Sequence, residues 1–395
     1  MQHSMKIEKT YRRIDEIDIV KALAIMLMVA CHSGVAFAKF IFLFHMAVFF
    51  IASGFFFRDA SSDNLKSVWE FIRNKIRKLW FPFFLWNAVF VLLHNPLERT
   101  VILPEMAADQ TIAYTPALYS GTDILSMIGK GALFSYKEPL IGGFWFLKIL
   151  FLVSIAWCLI DFLLKHLCKK LTKGQAKIKK INQIRLILQA IISVAFLLFG
   201  YSCSIRGIQL YGLAYVGSYY CLFFMGHLLS LVKSYFIKWS WHVWLLILIG
   251  SFGILYVLNL LGAIGYNLNE YSSPQYMVCC AFSGWCFLYS MAWFLKKIPG
   301  INKIMITVGK HTLSVLIFHL PVLKLIQIVE AFISHKPIYG LTGFPVLMAG
   351  NSWWCLLYVI IGTGIPVLLE MLGQKIYRIY RTTGIWKIKN IFGAD

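Results

Sequence analysis

Charged residues are scarce in this sequence of 395 residues, where Asp, Glu, Lys and Arg together make up only 14%. A soluble globular domain carries about 25% charged residues, so this composition excludes an ordinary soluble fold. Hydrophobic residues make up 59%, aromatic residues make up 16%, and the mean hydropathy is +0.71. The composition therefore indicates an integral membrane protein.

The nine cysteines form no CxxC pair and no other spacing typical of metal ligands. Most of them lie in or beside apolar segments, where Cys behaves as a small hydrophobic residue. The sequence therefore predicts neither a disulfide framework nor a metal site. It also shows no internal repeat and no separate soluble domain. No small-residue cleavage motif follows the basic start, so we expect the first apolar segment to be retained.

Apolar runs of about 20 residues, the length at which a helix crosses a bilayer, recur along the chain. They predict an all-α polytopic membrane protein with a bundle of about ten transmembrane helices. We interpret 1–395 as a single transmembrane domain, with a core over 13–333 and a last span and basic tail over 353–395. The predicted spans are 18–38, 40–57, 80–97, 144–164, 186–203, 209–232, 242–262, 275–295, 312–333 and 353–373.

Acidic residues are few beside the basic ones: 17 Asp and Glu accompany 38 Lys and Arg, a formal net charge of +21. With the N-terminus inside, 29 of the basic residues fall in predicted cytoplasmic segments and 6 on the opposite side. This bias predicts a multi-pass protein of the cytoplasmic membrane with both termini in the cytoplasm. Because the charges are spread over short loops, they fit anionic membrane lipids rather than nucleic acid.

Three ionisable side chains interrupt the first two apolar segments. Lys21 and His32 are eleven residues apart, which brings an α-helix back to within about 20° of the same face and separates the two by about 16 Å. A turn near Ala38 and Lys39 would bring His32 and His45 to equal depth on adjacent antiparallel helices, each about 10 Å below the turn. Ionisable groups inside a hydrophobic span are costly and usually mark a functional site.

Histidine suits general acid–base catalysis because its ordinary pKa lies near neutral pH. His32 is therefore a candidate base that takes the proton from a hydroxyl group, and a hydrogen bond between helices is the alternative role. Lys21, near the predicted cytoplasmic end of its span, is a candidate ligand for a phosphate or another anion. The alternative is that its ammonium group reaches the lipid headgroups.

Five segments form a pattern along the chain. The second-span and third-span segments are 44–54 and 75–82, and a Trp-Phe-Leu segment begins at Trp145. The first segment runs from Arg13 through Asp18 and Lys21 to His32, and the last runs from Gly309 through Ser314 to His319 and Pro321. In this order, over residues 13–321, they resemble the acyltransferase-3 family of integral membrane acyltransferases.

The resemblance implies transfer of a small acyl group, usually acetyl, from cytoplasmic acyl-coenzyme A to a hydroxyl group of a saccharide or another acceptor. Acetyl-CoA or another acyl-CoA is then the donor, with no metal, and the expected partners are membrane lipids, the donor and the acceptor, with no nucleic acid. In this scheme His32 is the catalytic base and His45 assists. The residues assigned to substrate binding are Lys21, Lys75, Arg77 and Lys78 for the donor phosphates, with Arg13, Asp18, Trp145, Ser314 and His319 as further members.

Two alternatives remain at this point. His319 has a structural hydrogen bond as an equal interpretation, with Pro321 able to distort its helix. The whole chain has a second candidate function, a transporter or exporter of a small acylated or sugar compound, which would also carry embedded cations and histidines. Transporters are often built from internal repeats, so the lack of a repeat favours the enzyme.

Overall fold

The computed structural model describes residues 14–100, 118–171, 178–208, 210–236, 238–335 and 353–382. These residues form helices and one antiparallel ribbon, in which β1 (Ile264–Gly265) pairs with β2 (Glu270–Tyr271) and Ile264 lies opposite Tyr271. The helices are α1 Asp15–His32, α2 Ala38–Phe42, α3 Ala47–Phe55, α4 Leu65–Lys75, α5 Phe81–Glu98, α6 Gly121–Gly131, α7 Trp145–Leu171, α8 Ile178–Ile205, α9 Leu213–Phe236, α10 Trp241–Leu261, α11 Pro274–Leu295, α12 Ile301–Lys310, α13 Thr312–Ile333 and α14 Trp354–Thr382. Short 3₁₀ segments cover Asp59–Ser62, Pro139–Phe144 and Leu210–Gly212, and a π-helical segment covers Ile76–Trp80.

Nine helical segments within the described ranges are long and apolar enough to cross a membrane. They coincide with the second to the tenth predicted spans, so the prediction of an all-α polytopic bundle is confirmed. α1, the first predicted span, is less apolar because its 18 residues include Asp15, Glu16, Asp18 and Lys21. The three acidic residues lie in the first turn of α1, where negative charge is favourable beside the positive end of the helix dipole.

The first hairpin differs from the prediction. α1 ends at His32 and not at residue 38, because Gly34 follows the cap residue Ser33 with a φ of +78°, a left-handed conformation that commonly ends helices. The Ser33 hydroxyl donates to the Ala30 carbonyl at 2.8 Å and satisfies one of the last acceptors. His32 therefore lies in the last turn of α1 and not two turns below the connection.

The second predicted span, 40–57, is broken. α2 ends at Phe42, α3 begins at Ala47, and His45 lies in the break. A break leaves main-chain carbonyl groups without helical partners. One of them, the Leu43 carbonyl, accepts a hydrogen bond of 3.0 Å from the hydroxyl of Tyr266. Tyr266 lies in the loop of the ribbon, far along the chain.

Glycines allow two pairs of helices to approach backbone to backbone. A Cβ atom added at Gly309 of α12 would lie 1.9 Å from the carbonyl oxygen of Asp18 in α1. Between α3 and α9, an added Cβ would meet a carbonyl oxygen at 1.9 Å both at Gly54 and at Gly226. Small residues are the usual means of close helix contact in membranes. The α1–α12 contact fixes the turn of α1 that carries Lys21.

A buried network of polar side chains joins α7, α8 and the loop after α3. Asp161 of α7 accepts hydrogen bonds from Arg185 at 3.3 Å, from Gln189 at 3.2 Å and from the Ser62 hydroxyl at 2.5 Å. Arg185 of α8 also pairs with Asp59 at 3.2 Å. Asp161 and Arg185 are both buried, so the network neutralises charge that would otherwise be costly inside the bundle.

Candidate active site

A cavity of about 580 Å³ lies among α1, α3, α4 with its π-helical continuation, α7 and α13. We call it the central cavity. Along α1 it is lined by Lys21, Ile25 and Met28, so it extends over about 10 Å of that helix axis. Along α13 it is lined by Thr312 and Leu316. It is a pocket of the size that binds small molecules, about 300–1,000 Å³.

Basic side chains line the central cavity. Lys21, Lys75, Lys78 and Arg58 all contribute to its wall. Lys21 pairs with Asp18 in the preceding turn, with 2.7 Å between Nζ and Oδ1, and the Asp18 side chain is buried. Several cations around one cavity are an arrangement that suits an anionic group such as a phosphate.

The structure separates Arg77 from the two lysines beside it. Lys75 and Lys78 are three residues apart and share one face of the helix, which continues into the π-helical segment Ile76–Trp80. Arg77 is exposed and does not line the central cavity. Single π-helical turns are frequent at functional sites. Of the three basic residues predicted here, two therefore face the cavity.

Three histidines lie just beyond the central cavity. Its wall includes Met28, one turn before His32, and Met46, next to His45. The rings of His32 and His319 are in contact, with 5.3 Å between their centroids and 40° between their planes. His45 lies within electrostatic range of His32. The sequence predicted a pair of histidines from the first two spans, with His319 as a further site member, and the structure has His319 of α13 in ring contact with His32.

Hydrogen bonds fix the tautomers of two of these histidines. Nδ1 of His45 lies 2.9 Å from the Ile41 carbonyl oxygen, and Nδ1 of His319 lies 2.9 Å from the Val315 carbonyl oxygen. A carbonyl oxygen only accepts, so the proton is assigned to Nδ1 in both rings, and Nε2 keeps its lone pair. Nε2 of His319 is buried and has no hydrogen-bond partner among the described residues. It is therefore a hydrogen-bond acceptor without a partner in the part of the chain that the structure describes.

The 3₁₀ segment Pro139–Phe144 closes the histidine cluster from the α7 side. A Cβ atom added at Gly143 would lie 3.0 Å from Leu316 and 3.8 Å from Cε1 of His319. Glycine at this position lets the segment approach α13 closely. Phe146, which follows on α7, lines the central cavity.

The other predicted site residues lie at different places. Trp145 lines a separate cleft and not the central cavity. Ser314 is buried in α13 and does not line the cavity, although the neighbouring Thr312 does. Asp18 acts on the site through its ion pair with Lys21. Arg13 lies outside the described residues.

The sequence analysis missed several polar residues. Arg58 and Asn74 line the central cavity, but each belongs to a loop or an amphipathic helix in which polar residues are ordinary. Lys324 and Glu330 are buried in α13, and the Tyr358 hydroxyl donates to Glu330 at 2.5 Å. The sequence does contain an indication of these two residues, because two charged side chains within one apolar span are unusual.

A second buried pair was also missed. Nδ1 of His94, in α5, lies 3.1 Å from Oε2 of Glu138, and the ring stacks on Tyr119 with 3.6 Å between centroids. Burial raises the pKa of Glu138, and the hydrogen bond with His94 opposes part of that rise. In the ranges that the structure covers, no three His, Cys, Asp or Glu side chains come together as a metal-ligand set.

Comparison of the chain with known proteins identifies its family. The family model described as an acyltransferase domain, of the acyltransferase-3 group, matches residues 14–371, which is nearly the whole chain. The chain therefore belongs to the acyltransferase-3 family. No significant match is found among curated proteins or among solved structures. The fold and the family together define a multi-pass membrane protein of the acyltransferase class.

Proposed function

We propose that this protein is a membrane-embedded O-acyltransferase. It transfers a small acyl group, acetyl in the first instance, from cytoplasmic acyl-CoA to a hydroxyl group of a cell-surface or lipid-linked saccharide. The observation that carries the proposal is the central cavity itself, because one continuous space is lined by Lys21, Lys75 and Lys78 and extends to the residues next to the histidines.

In this proposal the basic side chains of the central cavity bind the phosphates of the donor. Coenzyme A carries several phosphate charges, and clustered Lys and Arg side chains bind phosphates through charge-assisted hydrogen bonds. The rest of the wall includes Ile25, Phe49 and Leu150, which suits the less polar arm that carries the thioester. The acyl group would pass the flexible side chains of Met28 and Met46 to reach His32.

In this proposal the histidines carry out the proton transfers of the reaction. His32 takes the proton of the acceptor hydroxyl as the oxygen attacks the thioester carbon, so that a C–O bond forms and, after the tetrahedral intermediate, the C–S bond breaks. The proton then passes to the departing thiolate and regenerates neutral imidazole. His319, whose ring contacts His32 and whose Nε2 has no partner among the described residues, assists His32 in holding the proton. His45, in which Nδ1 also bonds to a main-chain carbonyl group, lies within electrostatic range of His32.

The membrane orientation is part of the proposal. The excess of Lys and Arg in one set of loops favours a cytoplasmic location of both termini. The turn of α1 that carries Lys21 would then face the cytoplasm, and the end that carries His32 would lie toward the outer side. The donor would enter from one side of the membrane and the acceptor from the other.

Binding of acetyl-CoA to the purified full chain in lipid nanodiscs tests the proposal. We expect Lys78→Met to raise the Kd by about 10-fold or more, the loss of one charge-assisted hydrogen bond. Arg77→Met, the matched control on the same helix, should leave the Kd within about twofold. Labelled acetyl-CoA should also release free CoA as acyl product forms in the presence of a membrane extract.

Two results would contradict the proposal. If the Lys78 and Arg77 substitutions raised the Kd for acetyl-CoA equally, the central cavity would not be the donor site. If vesicles containing the protein move labelled acetyl compounds across the bilayer with the acyl–sulfur bond intact, the transporter function is correct instead.

A further inference from the structure

A second cavity, of about 350 Å³, lies at the end of the bundle where α7 begins. It is formed by the start of α7, the loop before the 3₁₀ segment Pro139–Phe144, the start of α9 and the loop of the ribbon. We call it the aromatic cleft. Its main lining residues are Tyr136, Trp145, Lys148, Tyr211, Tyr215 and Asn267.

The first two turns of α7 separate the aromatic cleft from the central cavity. Trp145, Lys148 and Ile149 line the cleft. Phe146, Leu147 and Leu150 line the central cavity. At about 100° per residue the centres of these two sets lie roughly 150° apart around the helix. The cleft therefore lies on a different face of α7 from the central cavity, and no described residue lines both.

The aromatic walls of the cleft are held in place by their own polar groups. The Tyr136 hydroxyl donates to the Gly142 main-chain carbonyl at 3.1 Å and accepts from the main-chain N–H of Trp145 at 3.0 Å. The Tyr215 hydroxyl donates to the main-chain carbonyl of Asn267 at 3.0 Å. Because these hydroxyls are already bonded, the two rings offer the cleft rigid and largely apolar surfaces.

The cleft carries positive charge. Lys148 is half-buried, and its Nζ lies 3.8 Å from the centroid of the Tyr211 ring, a cation–π contact. Tyr211 has a φ of +55°, a conformation that is costly for a residue with a side chain and is characteristic of functional sites. No Asp or Glu is among the described residues that line the cleft, although Glu270 lies within electrostatic range of Tyr215. Lys148 on the wall of the cleft therefore favours a ligand with a negative charge.

The cleft also connects to the histidine cluster. Gly142 and Trp145, both bonded to Tyr136, lie on either side of Gly143, whose position is within contact distance of His319. The ribbon loop that supplies Asn267 also supplies Tyr266, which bonds to the Leu43 carbonyl two residues before His45. A molecule in the cleft thus touches the two segments that hold these histidines.

We propose that the aromatic cleft binds the acceptor and that its ligand is a sugar ring with an acidic substituent. The C–H faces of sugar rings pack on aromatic rings, and their hydroxyl groups form hydrogen bonds with amides such as the side chain of Asn267. In an acidic sugar, a carboxylate would pair with Lys148. This inference rests on the proposed function, since it names the acceptor of the same reaction. It does not require the donor for its test.

The inference is tested by measuring the binding of sugars directly to the protein. Saturation-transfer NMR on the full chain in nanodiscs, without acyl-CoA, would compare methyl β-D-glucuronide with methyl β-D-glucoside. We expect the glucuronide to bind about 10-fold more tightly or better, the effect of one charge-assisted contact, and Lys148→Gln to abolish that difference. Trp145→Ala should weaken both sugars, and Trp145→Phe should retain them.

The matched control is Lys130→Gln, which removes the same charge from an exposed site at the end of α6, outside the cleft. It should leave both affinities unchanged. Equal binding of the two sugars, a loss in Lys130→Gln as large as that in Lys148→Gln, or no binding of either sugar would overturn the inference. Failure of the proposed function would appear separately, as wild-type protein that does not bind acetyl-CoA.

Discussion

Replacing Lys21 by methionine perturbs two contacts of a single side chain: the ion pair with Asp18 and the proposed contact with a donor phosphate. The Lys21 Nζ lies 2.7 Å from Asp18 Oδ1, and the exposed fractions of the two side chains are 21% and 2%. The ion pair is therefore buried on the Asp18 side and partly open to solvent on the Lys21 side.

The expected magnitudes differ for the two contacts. Breaking a buried ion pair costs about 3–5 kcal/mol, and the partial exposure of Lys21 places this pair near the lower end of that range. Loss of one charge-assisted hydrogen bond to a phosphate costs about 1.5–3 kcal/mol, which raises the Kd for acetyl-CoA by about 10- to 150-fold. Lys21→Arg keeps the charge and should retain more of the binding than Lys21→Met.

A double variant separates the two effects. Asp18→Asn combined with Lys21→Met also removes the carboxylate charge that Lys21 neutralises, so part of the free energy of unfolding should recover while the Kd stays raised. Unfolding is followed in detergent and the Kd by calorimetry, with Lys310→Met on the exposed face of α12 as the control. If acetyl-CoA binds Lys21→Met within about twofold of the wild type, Lys21 is not a donor ligand.

The catalytic base, the α1–α12 contact and the membrane topology can each be tested separately. His32→Gln should lower acyl transfer by about 10²–10⁴-fold while acetyl-CoA binding is retained, and near-native transfer by this variant would exclude His32 as the base. Gly309→Ala should cost about 1–3 kcal/mol of unfolding free energy because its Cβ would meet the backbone of α1, whereas Gly364→Ala, with open space around it, should cost less; equal melting curves would contradict this. A reporter fused after Lys173 should read cytoplasmic and one inserted near Asp123 extracytoplasmic, and the reverse at either position would invalidate the charge-based topology.

The sequence was sufficient to predict most of the helices and part of the site. Long apolar runs have few structural alternatives, so nine predicted spans coincide with observed helices. The spacing of Lys21 and His32 on one helix is a local property, and the structure has Lys21 on the central cavity and His32 one turn beyond Met28. Residues related by helix periodicity were therefore the predictable ones.

The rest of the site depends on contacts between distant segments. The break around His45 contains neither Pro nor Gly, and its Leu43 carbonyl is satisfied by Tyr266, 223 residues further along the chain. The contact of His32 with His319 likewise joins the first and a late helix. Such partners cannot be identified from periodicity or composition, because many polar residues in the sequence are equally eligible.

The Asp161–Arg185 ion pair has a consequence for how the chain enters the membrane. A single Asp or Arg at the centre of a lone apolar helix costs about 2.5–3.5 kcal/mol on insertion, and less toward the helix end. Asp161 and Arg185 belong to consecutive helices and are 24 residues apart in sequence. They can neutralise each other as soon as α8 has been synthesised. Lys165 of α7 lies 3.7 Å from Asp161 and begins to neutralise it, and Arg185 completes this from α8. α7 and α8 are therefore expected to leave the translocation machinery together, as one hairpin.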